Sequence, residues 1–461
     1  MFEAWSPEIQ KADLPVYLAI LGALERDIVS GSLQPGQRLP THRELADHLK
    51  LAIGTVTKAY LEAERRGLIR GDGRRGTFVA GHKHQPKSPT LSIESEPGLI
   101  DLSPYYPPAD TDPDLRHALA ELSNREINYL MHYTGPKGYA RHREIGAQWV
   151  STLGLKVGEE DVIVTAGAQH AILVTLMALT DRGDTIATAR HTYTGVKWVA
   201  ELLGLRLVGI EADRDGLLPD AFDSCCRKHN VKFLYCIPSL DNPTNAILSE
   251  SRRHTIAGVA EKYGVEIIED EINRRLLEQP YPLISSMAPG RTYLIASLAK
   301  VVAGGLRICY LVAPQSNREK LYKAVLGSTL MVSPLAAELA SLWISDGTAE
   351  RSVLRKRAEA KKRSAIAADI LGDLEYYGHP SSYFVWLKLP ARWHTGEFAA
   401  ETHRTGVVVA PADIFAVDPH DMDNAVRLCL GGKNTIEDLE RGLRLISAII
   451  HGTAGPKSTV F

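Results

Sequence analysis

From about residue 100 onward, short apolar runs rich in β-branched residues alternate with stretches of helical periodicity. The runs are Val162–Thr165, Thr185–Ala187, Arg206–Ile210, Lys232–Ile237, Val265–Glu269, Tyr293–Ala296 and Arg307–Val312. Helical patterns such as Ala168–Leu179 and Ser251–Tyr263 lie between them. Strands that recur with helices between them predict a mostly parallel α/β sheet.

The first eighty residues have a different texture. Tyr17–Ser30 places Leu18, Leu21, Leu24 and Ile28 at helical spacing and stops at Gly31, a residue suited to closing a helix. Thr41 followed three residues later by Glu44 forms a capping box, so a helix starts there with Arg43 in its first turn. A second short helix is expected over Gly54–Arg66, with Thr55, Thr57 and Lys58 along its early turns. Gly67–Arg70 and Gly76–Val79 would then pair as a hairpin around Asp72-Gly73-Arg74. Two short helices followed by a two-stranded wing predict a winged helix-turn-helix over residues 12–79, mainly α with a β-wing. Its second helix would enter the major groove of double-stranded DNA. Residues 80–99 are polar and Pro-rich without periodicity and are expected to be a linker. The α/β domain would occupy residues 100–455.

Composition agrees with this division. A chain of 461 residues exceeds one ordinary core, and 44% hydrophobic with 23% charged residues is a soluble globular balance. No apolar stretch reaches membrane-spanning length, and Met1-Phe2-Glu3-Ala4-Trp5 has no secretory pattern. Five cysteines form neither a metal-ligand spacing nor a disulfide framework, so reduced thiols in a cytoplasm are expected. The net charge of −2 is unevenly spread: residues 50–80 carry seven Lys/Arg against three acids. A basic patch confined to one small module is the footprint of a nucleic-acid contact, although a solvated charged face looks the same.

Candidate chemistry concentrates in four segments of the α/β region. Lys300 follows a strand and Ser297, inside an apolar run that continues Val301-Val302-Ala303. An amine in such surroundings has a lowered pKa and is available to attack an aldehyde. Ser297 and Arg307 flank it, and an Arg fork beside a hydroxyl suits a phosphate dianion. Asp270 ends another strand, where open α/β sheets bind ligands, and there a carboxylate can keep a pyridine nitrogen protonated. By itself Asp270 is as readily a helix N-cap. Asn242-Pro243-Thr244 is a turn after a third strand. Thr165-Ala166-Gly167-Ala168-Gln169 opens a helix with free backbone N–H groups that could hold phosphate. Together these segments supply what is needed to hold pyridoxal 5′-phosphate as a Schiff base.

Two resemblances sharpen the picture. Arg38-Leu39-Pro40, Arg43-Glu44-Leu45-Ala46, Gly54-Thr55-Val56-Thr57-Lys58-Ala59-Tyr60, Arg66-Gly67-Leu68 and Gly76-Thr77-Phe78-Val79 resemble the GntR family of bacterial regulators. That likeness implies DNA contacts from Arg38, Arg43, Thr55, Thr57, Lys58, Arg74, Gly76 and Thr77. Where the family usually has Ser-Arg before the recognition helix, this chain has Ala52-Ile53.

Residues 100–450 resemble fold-type I aminotransferases, an α/β fold with a small α/β subdomain. The resemblance implies Lys300 as the internal aldimine lysine and Asp270 as the partner of the pyridine nitrogen. Asn242 would bond the ring hydroxyl and Tyr193 would stack on the ring. Ala168, Gln169, Ser297 and Arg307 would bind phosphate, with Tyr133 reaching the phosphate of a neighbouring subunit. Arg427 would grip the carboxylate of an effector. Ile272 and Asn273 stand where the family commonly has a Tyr after Asp270, and Ala299 replaces a Ser.

A GntR-like module fused to an aminotransferase-like domain is the arrangement of MocR-type regulators. The expected function is therefore a cytoplasmic, homodimeric, PLP-dependent transcriptional regulator. It would sense a small amino acid or amine through an external aldimine that displaces Lys300, bind operator DNA, and have at most weak transaminase activity. Two other readings stay open: a working aminotransferase with an accessory DNA-binding domain, and a DNA-binding protein on a cofactor-free scaffold.

Overall fold

The computed structural model describes residues 5–6, 16–29, 32–34, 36–65, 68–71, 76–79, 98–418 and 421–453. The chain divides into two compact units, Met1–Ser92 and Ile93–Phe461. The expected helix stop at Gly31, the wing tip with Arg74, and linker residues 80–97 lie outside the described residues.

In the small unit, helices run over Val16–Val29, His42–Leu49 and Ile53–Arg65, and the strands Ile69–Gly71 and Thr77–Val79 form an antiparallel hairpin. The capping box forms as the sequence predicts: Thr41 Oγ1 accepts the Glu44 N–H at 3.3 Å, and Glu44 Oε2 accepts the Thr41 N–H at 2.8 Å. The third helix starts without such a cap at Ala52, which contributes only its carbonyl, accepting the Thr55 N–H at 2.9 Å. Leu21, Leu24, Leu45, Val56, Tyr60, Ile69 and Val79 share one buried apolar cluster that ties the helices to the hairpin.

The large unit is built on a seven-stranded sheet. Its spatial order is Val162–Thr165, Cys309–Val312, Thr292–Ser297, Glu266–Asp270, Val231–Cys236, Thr185–Ala189 and Arg206–Ile210. All neighbours are parallel except Cys309–Val312, which runs against both of its partners. Helices such as Ala168–Leu179 and Glu250–Tyr263 carry the crossovers. Every residue of Val162–Thr165, Thr292–Ser297 and Cys309–Val312 is buried, which is why these strands are near-continuous apolar runs in the sequence and do not alternate.

A second, four-stranded antiparallel sheet follows, in the order Tyr376–Tyr377, Phe384–Lys388, Ala425–Cys429 and Ala410–Pro411. Helices Thr348–Leu371 and Ile436–His451 accompany it, and Ile100–Asp101 pairs in parallel with Val407–Val408. Among the described residues no helix is long and apolar enough to cross a membrane.

Candidate functional site

The strand order brings distant parts of the sequence to one sheet edge. Cys309 is in register with both Ser297 and Thr165, so the ends of three strands lie side by side. Asp270 closes the next strand, and Glu269 beside it is in register with Cys236. The carboxyl ends of parallel strands are where open α/β sheets bind ligands.

Asp270 is 2% exposed. It accepts the Tyr235 hydroxyl at 2.9 Å and the Ile272 N–H at 3.2 Å, and it forms no ion pair among the described residues. Burial, reinforced by the neighbouring Glu271, pushes its pKa up to about 7. A buried carboxylate without a counter-charge is costly to ionise, and a protonated ring nitrogen would supply that charge.

Lys300 is half-buried, with Nζ lying 4.1 Å above the centre of the Tyr105 ring and donating to the Tyr105 carbonyl. Burial pushes its pKa down to about 7, and the charges of Arg427 and Arg307 act in the same direction. Part of the population then carries the neutral amine that attacks aldehydes near neutral pH.

Gly167 has φ +87°, and a side chain there would run into the Arg307 guanidinium. Arg307 gives only long hydrogen bonds, 3.4 Å to the Ala166 carbonyl and 3.3 Å to that of Gly304, so its fork has donors to spare. The helix that starts at Ala168 has no side-chain cap, which leaves its amino end open beside that guanidinium. Ser297 is buried, its Oγ accepting the Ala299 N–H at 3.2 Å. These groups surround a cradle of donors suited to phosphate.

Arg427, 3% exposed, bridges two segments: Nη1 donates to Asn242 Oδ1 at 2.6 Å and Nη2 to the Ser103 carbonyl at 2.6 Å. Its Nε has no partner among the described residues, and its guanidinium lies 4.7 Å from the centre of the Phe415 ring. Burial raises the Tyr193 phenol to about 12, and the Asp270 charge adds to the effect while Arg307 and Arg427 oppose it. Gly195 leaves room for Gln169 and Tyr193 to meet, and Gln169 Nε2 donates to the Gly195 carbonyl at 2.9 Å. Tyr133 stays outside this cluster and is 83% exposed.

Sequence reasoning misses three members of the site. Tyr235 holds Asp270, and Ser103 and Tyr105 supply the carbonyls that meet Arg427 and Lys300. Asn273, where the resemblance leads one to expect a Tyr, is fully buried. It accepts the Tyr105 hydroxyl at 2.7 Å and donates to the Leu240 carbonyl at 2.8 Å, so a phenol reaches this neighbourhood from Tyr105. Ile272 packs against the sheet core.

In the small unit Arg43 is exposed on the first turn of its helix. Lys58 is exposed as well, with Nζ 4.1 Å from the centre of the Tyr17 ring. Thr55 and Thr57 are half-buried, and the Thr57 hydroxyl lies 3.1 Å from His42 Nδ1. Arg38 lies against the wing: a side chain at Gly76, where φ is +112°, would sit 3.0 Å from Arg38 Nε. Thr77 opens the second wing strand, and its carbonyl accepts the Leu39 N–H at 2.9 Å.

Comparison with known proteins assigns both units. Residues 97–446 match the family "Aminotransferase class I and II", and residues 16–79 match "Bacterial regulatory proteins, gntR family". The chain is 32% identical over 454 residues to the HTH-type transcriptional regulator YdeF of Bacillus subtilis, itself uncharacterized, covering 97% of each protein. It is 27% identical over 387 residues to the HTH-type pyridoxine biosynthesis transcriptional regulator PdxR of Corynebacterium glutamicum, covering 79% of this chain and 82% of that one. The fold matches LysN, the α-aminoadipate aminotransferase of Thermus thermophilus solved with N-(5′-phosphopyridoxyl)-L-leucine. The TM-score is 0.71 at 23% identity, over 80% of this chain and 97% of that one. The chain therefore belongs to the MocR-type subgroup of the GntR family of transcriptional regulators, in which a winged helix-turn-helix is joined to a fold-type I aminotransferase-like domain.

Proposed function

We propose that this regulator binds pyridoxal 5′-phosphate in the large unit and uses it to sense a small amino acid or amine. The observation that carries the reading is the pairing of Asp270 with Lys300 at one sheet edge. A buried acid there forms no ion pair among the described residues, and burial brings the pKa of the amine down to about 7. The residues present fit the cofactor. Ala168, Gln169, Ser297 and Arg307 would take the phosphate, Asp270 the ring nitrogen, Asn242 the ring hydroxyl and Tyr193 the ring face. When bound, the cofactor supplies an aldehyde that condenses with primary amines and a ring that withdraws electrons.

Lys300 would be the amine placed to condense with that aldehyde, and the primary amine of an effector would compete with it for the same carbon. Arg427 meets the effector's carboxylate with a fork already aligned by Asn242 and Ser103. Ile272, Asn273 and Ala299 remove contacts that would hold the ring rigid, which favours sensing over turnover.

The small unit, residues 12–79, binds double-stranded operator DNA in the cytoplasm. Arg43 and Lys58 provide exposed cations, and Thr55, Thr57, Arg38, Arg74, Gly76 and Thr77 complete the helix and wing contacts. The linker 80–99 carries the response from the effector domain, residues 100–455. The protein acts as a homodimer in which Tyr133 reaches the phosphate site of a second copy; the exposure of Met131 and Tyr133, 82% and 83%, supports this reading.

Borohydride reduction followed by peptide mapping tests the reading. The protein should be yellow as purified, and reduction should fix the cofactor on the peptide containing Lys300. Label on another lysine, or failure of the protein to take up the cofactor at all, refutes it.

A further inference from the structure

A separate pocket of about 200 Å³ opens between the main sheet and the small antiparallel sheet. On that measure a single water needs only about 10–15 Å³. Lys300, Ser297, Arg307 and Arg427 do not line it. It nevertheless shares walls with the candidate cofactor site. Asp241 and Thr244 come from the Asn242 turn, Thr192 precedes Tyr193, and Tyr235 is the residue that holds Asp270.

Most charges around this pocket are satisfied. Lys388 and Arg190 both pair with Asp423, at 2.5 and 2.6 Å. Asp213 pairs with Arg252 at 2.7 Å. His191 is held neutral, its pKa pushed down to about 4 by burial, and its Nε2 accepts the Asp423 N–H at 3.0 Å.

Two groups remain without an opposite charge among the described residues. The Asp241 carboxylate receives the Thr244 hydroxyl at 2.6 Å and meets no cation there. Burial raises its pKa to about 6, a cost that a bound ammonium would offset. Arg214, exposed on the Ala212–Leu217 hairpin, only faces the Tyr377 ring, 5.7 Å from its centre. One acid and one base without opposite charges among the described residues therefore line the same pocket.

We propose that this pocket is a non-covalent site for a zwitterionic α-amino acid, whose ammonium is taken by Asp241 and whose carboxylate is taken by Arg214. The inference goes beyond the Lys300 reading, because it needs no Schiff base. An occupant would press on the Asn242 turn, on Thr192 and on Tyr235. Its binding is thereby linked to the groups around the cofactor, and linkage of this kind is reciprocal.

The test uses zwitterions that cannot condense with an aldehyde. N,N-dimethylglycine and N,N-dimethylleucine keep an ammonium N–H and a carboxylate but are tertiary amines. Each is titrated calorimetrically into the full-length, cofactor-loaded protein. At least one should bind at one site per chain. Asp241→Asn and, separately, Arg214→Ala should weaken it about tenfold or more, and each by more than Arg427→Ala does. Arg214 is exposed, so its variant stays informative should Asp241→Asn fold poorly.

No binding of either probe up to about 10 mM overturns the proposal. So does binding that Arg427→Ala abolishes and both pocket variants leave intact, because that places the zwitterion at the cofactor. Should the protein prove unable to take up cofactor, the Lys300 reading fails on its own, and the same titration on the cofactor-free protein still decides this one.

Discussion

The two units carry their chemistry in opposite places. In the small unit Arg43 and Lys58 lie on the surface, over a core of Leu45, Val56 and Tyr60 that contributes only support. In the large unit Asp270, Asn242 and Arg427, three of the candidate site residues, are each buried. A surface that meets a polyanion works by the number of cations it presents, each screened and each worth little. A cleft works by desolvation, where one unpaired group is expensive and its ligand correspondingly valuable. Substitutions should therefore have large, ligand-specific effects in the cleft and small, salt-dependent effects on the surface.

Asp270→Asn should give the largest contrast. Without cofactor, the folded-state pKa of Asp270 is raised from 3.8 to about 7. The native state then holds a proton that the unfolded chain gives up, so this carboxyl's contribution to stability is present at low pH and is lost as pH rises from about 4 to 7. The Asn variant has no such loss. The cofactor-free variant should match wild type near pH 4 and exceed it at pH 8 by an amount on the order of 4 kcal/mol at most, read from denaturant unfolding. With cofactor the order reverses, because the ring nitrogen loses its counter-charge. Equal pH profiles for the two cofactor-free proteins would mean that Asp270 is not the strained acid of this cleft.

Arg427→Ala should come next. Losing one partner of a buried, charge-assisted contact costs about 2–3 kcal/mol, so an amino-acid effector should bind roughly thirty-fold or more weakly. A primary amine of similar size without a carboxylate should bind nearly as before. Arg427→Lys should not restore the effect, since a point charge cannot bridge Asn242 and Ser103 as the fork does. Equal losses for amine and amino acid would show that Arg427 shapes the cleft without reading the carboxylate.

The same division decides what the sequence reveals. Strands buried on both faces announce themselves as apolar runs, so the sheet and the order of Gly167, Asn242, Asp270 and Lys300 along it are legible in the residues alone. The helix from Thr41 is legible too, because a capping box is a local signal four residues long. Tyr105 and Asn273 are not: their hydrogen bond joins residues 168 positions apart, and neither carries a local motif. Tyr235 is within reach, since pairing of the two strands puts Ile268 opposite Tyr235, two residues before Asp270. Its place in an apolar run makes it look like core. Arg38 and Thr57 show the converse. The motif marks them as DNA contacts, but only the fold shows that Arg38 lies against Gly76 and that the Thr57 hydroxyl meets His42.

That last distinction gives the smallest effects and a sharp test within the small unit. Arg43 is exposed, so Arg43→Ala should weaken operator binding by about 1–2 kcal/mol. It should also lower the slope of log affinity against log salt by about one, with thermal stability unchanged. Thr57 is tied to His42 between the two helices of the motif. Thr57→Ala should therefore lower the stability of the small unit by about 1 kcal/mol, while the salt slope stays as it was, because no cation is lost. Neither change should alter the absorption of the cofactor, which belongs to the other unit. A Thr57→Ala protein of undiminished stability that loses affinity for one operator sequence but not for random DNA would show that this hydroxyl reads a base and adds nothing to helix packing.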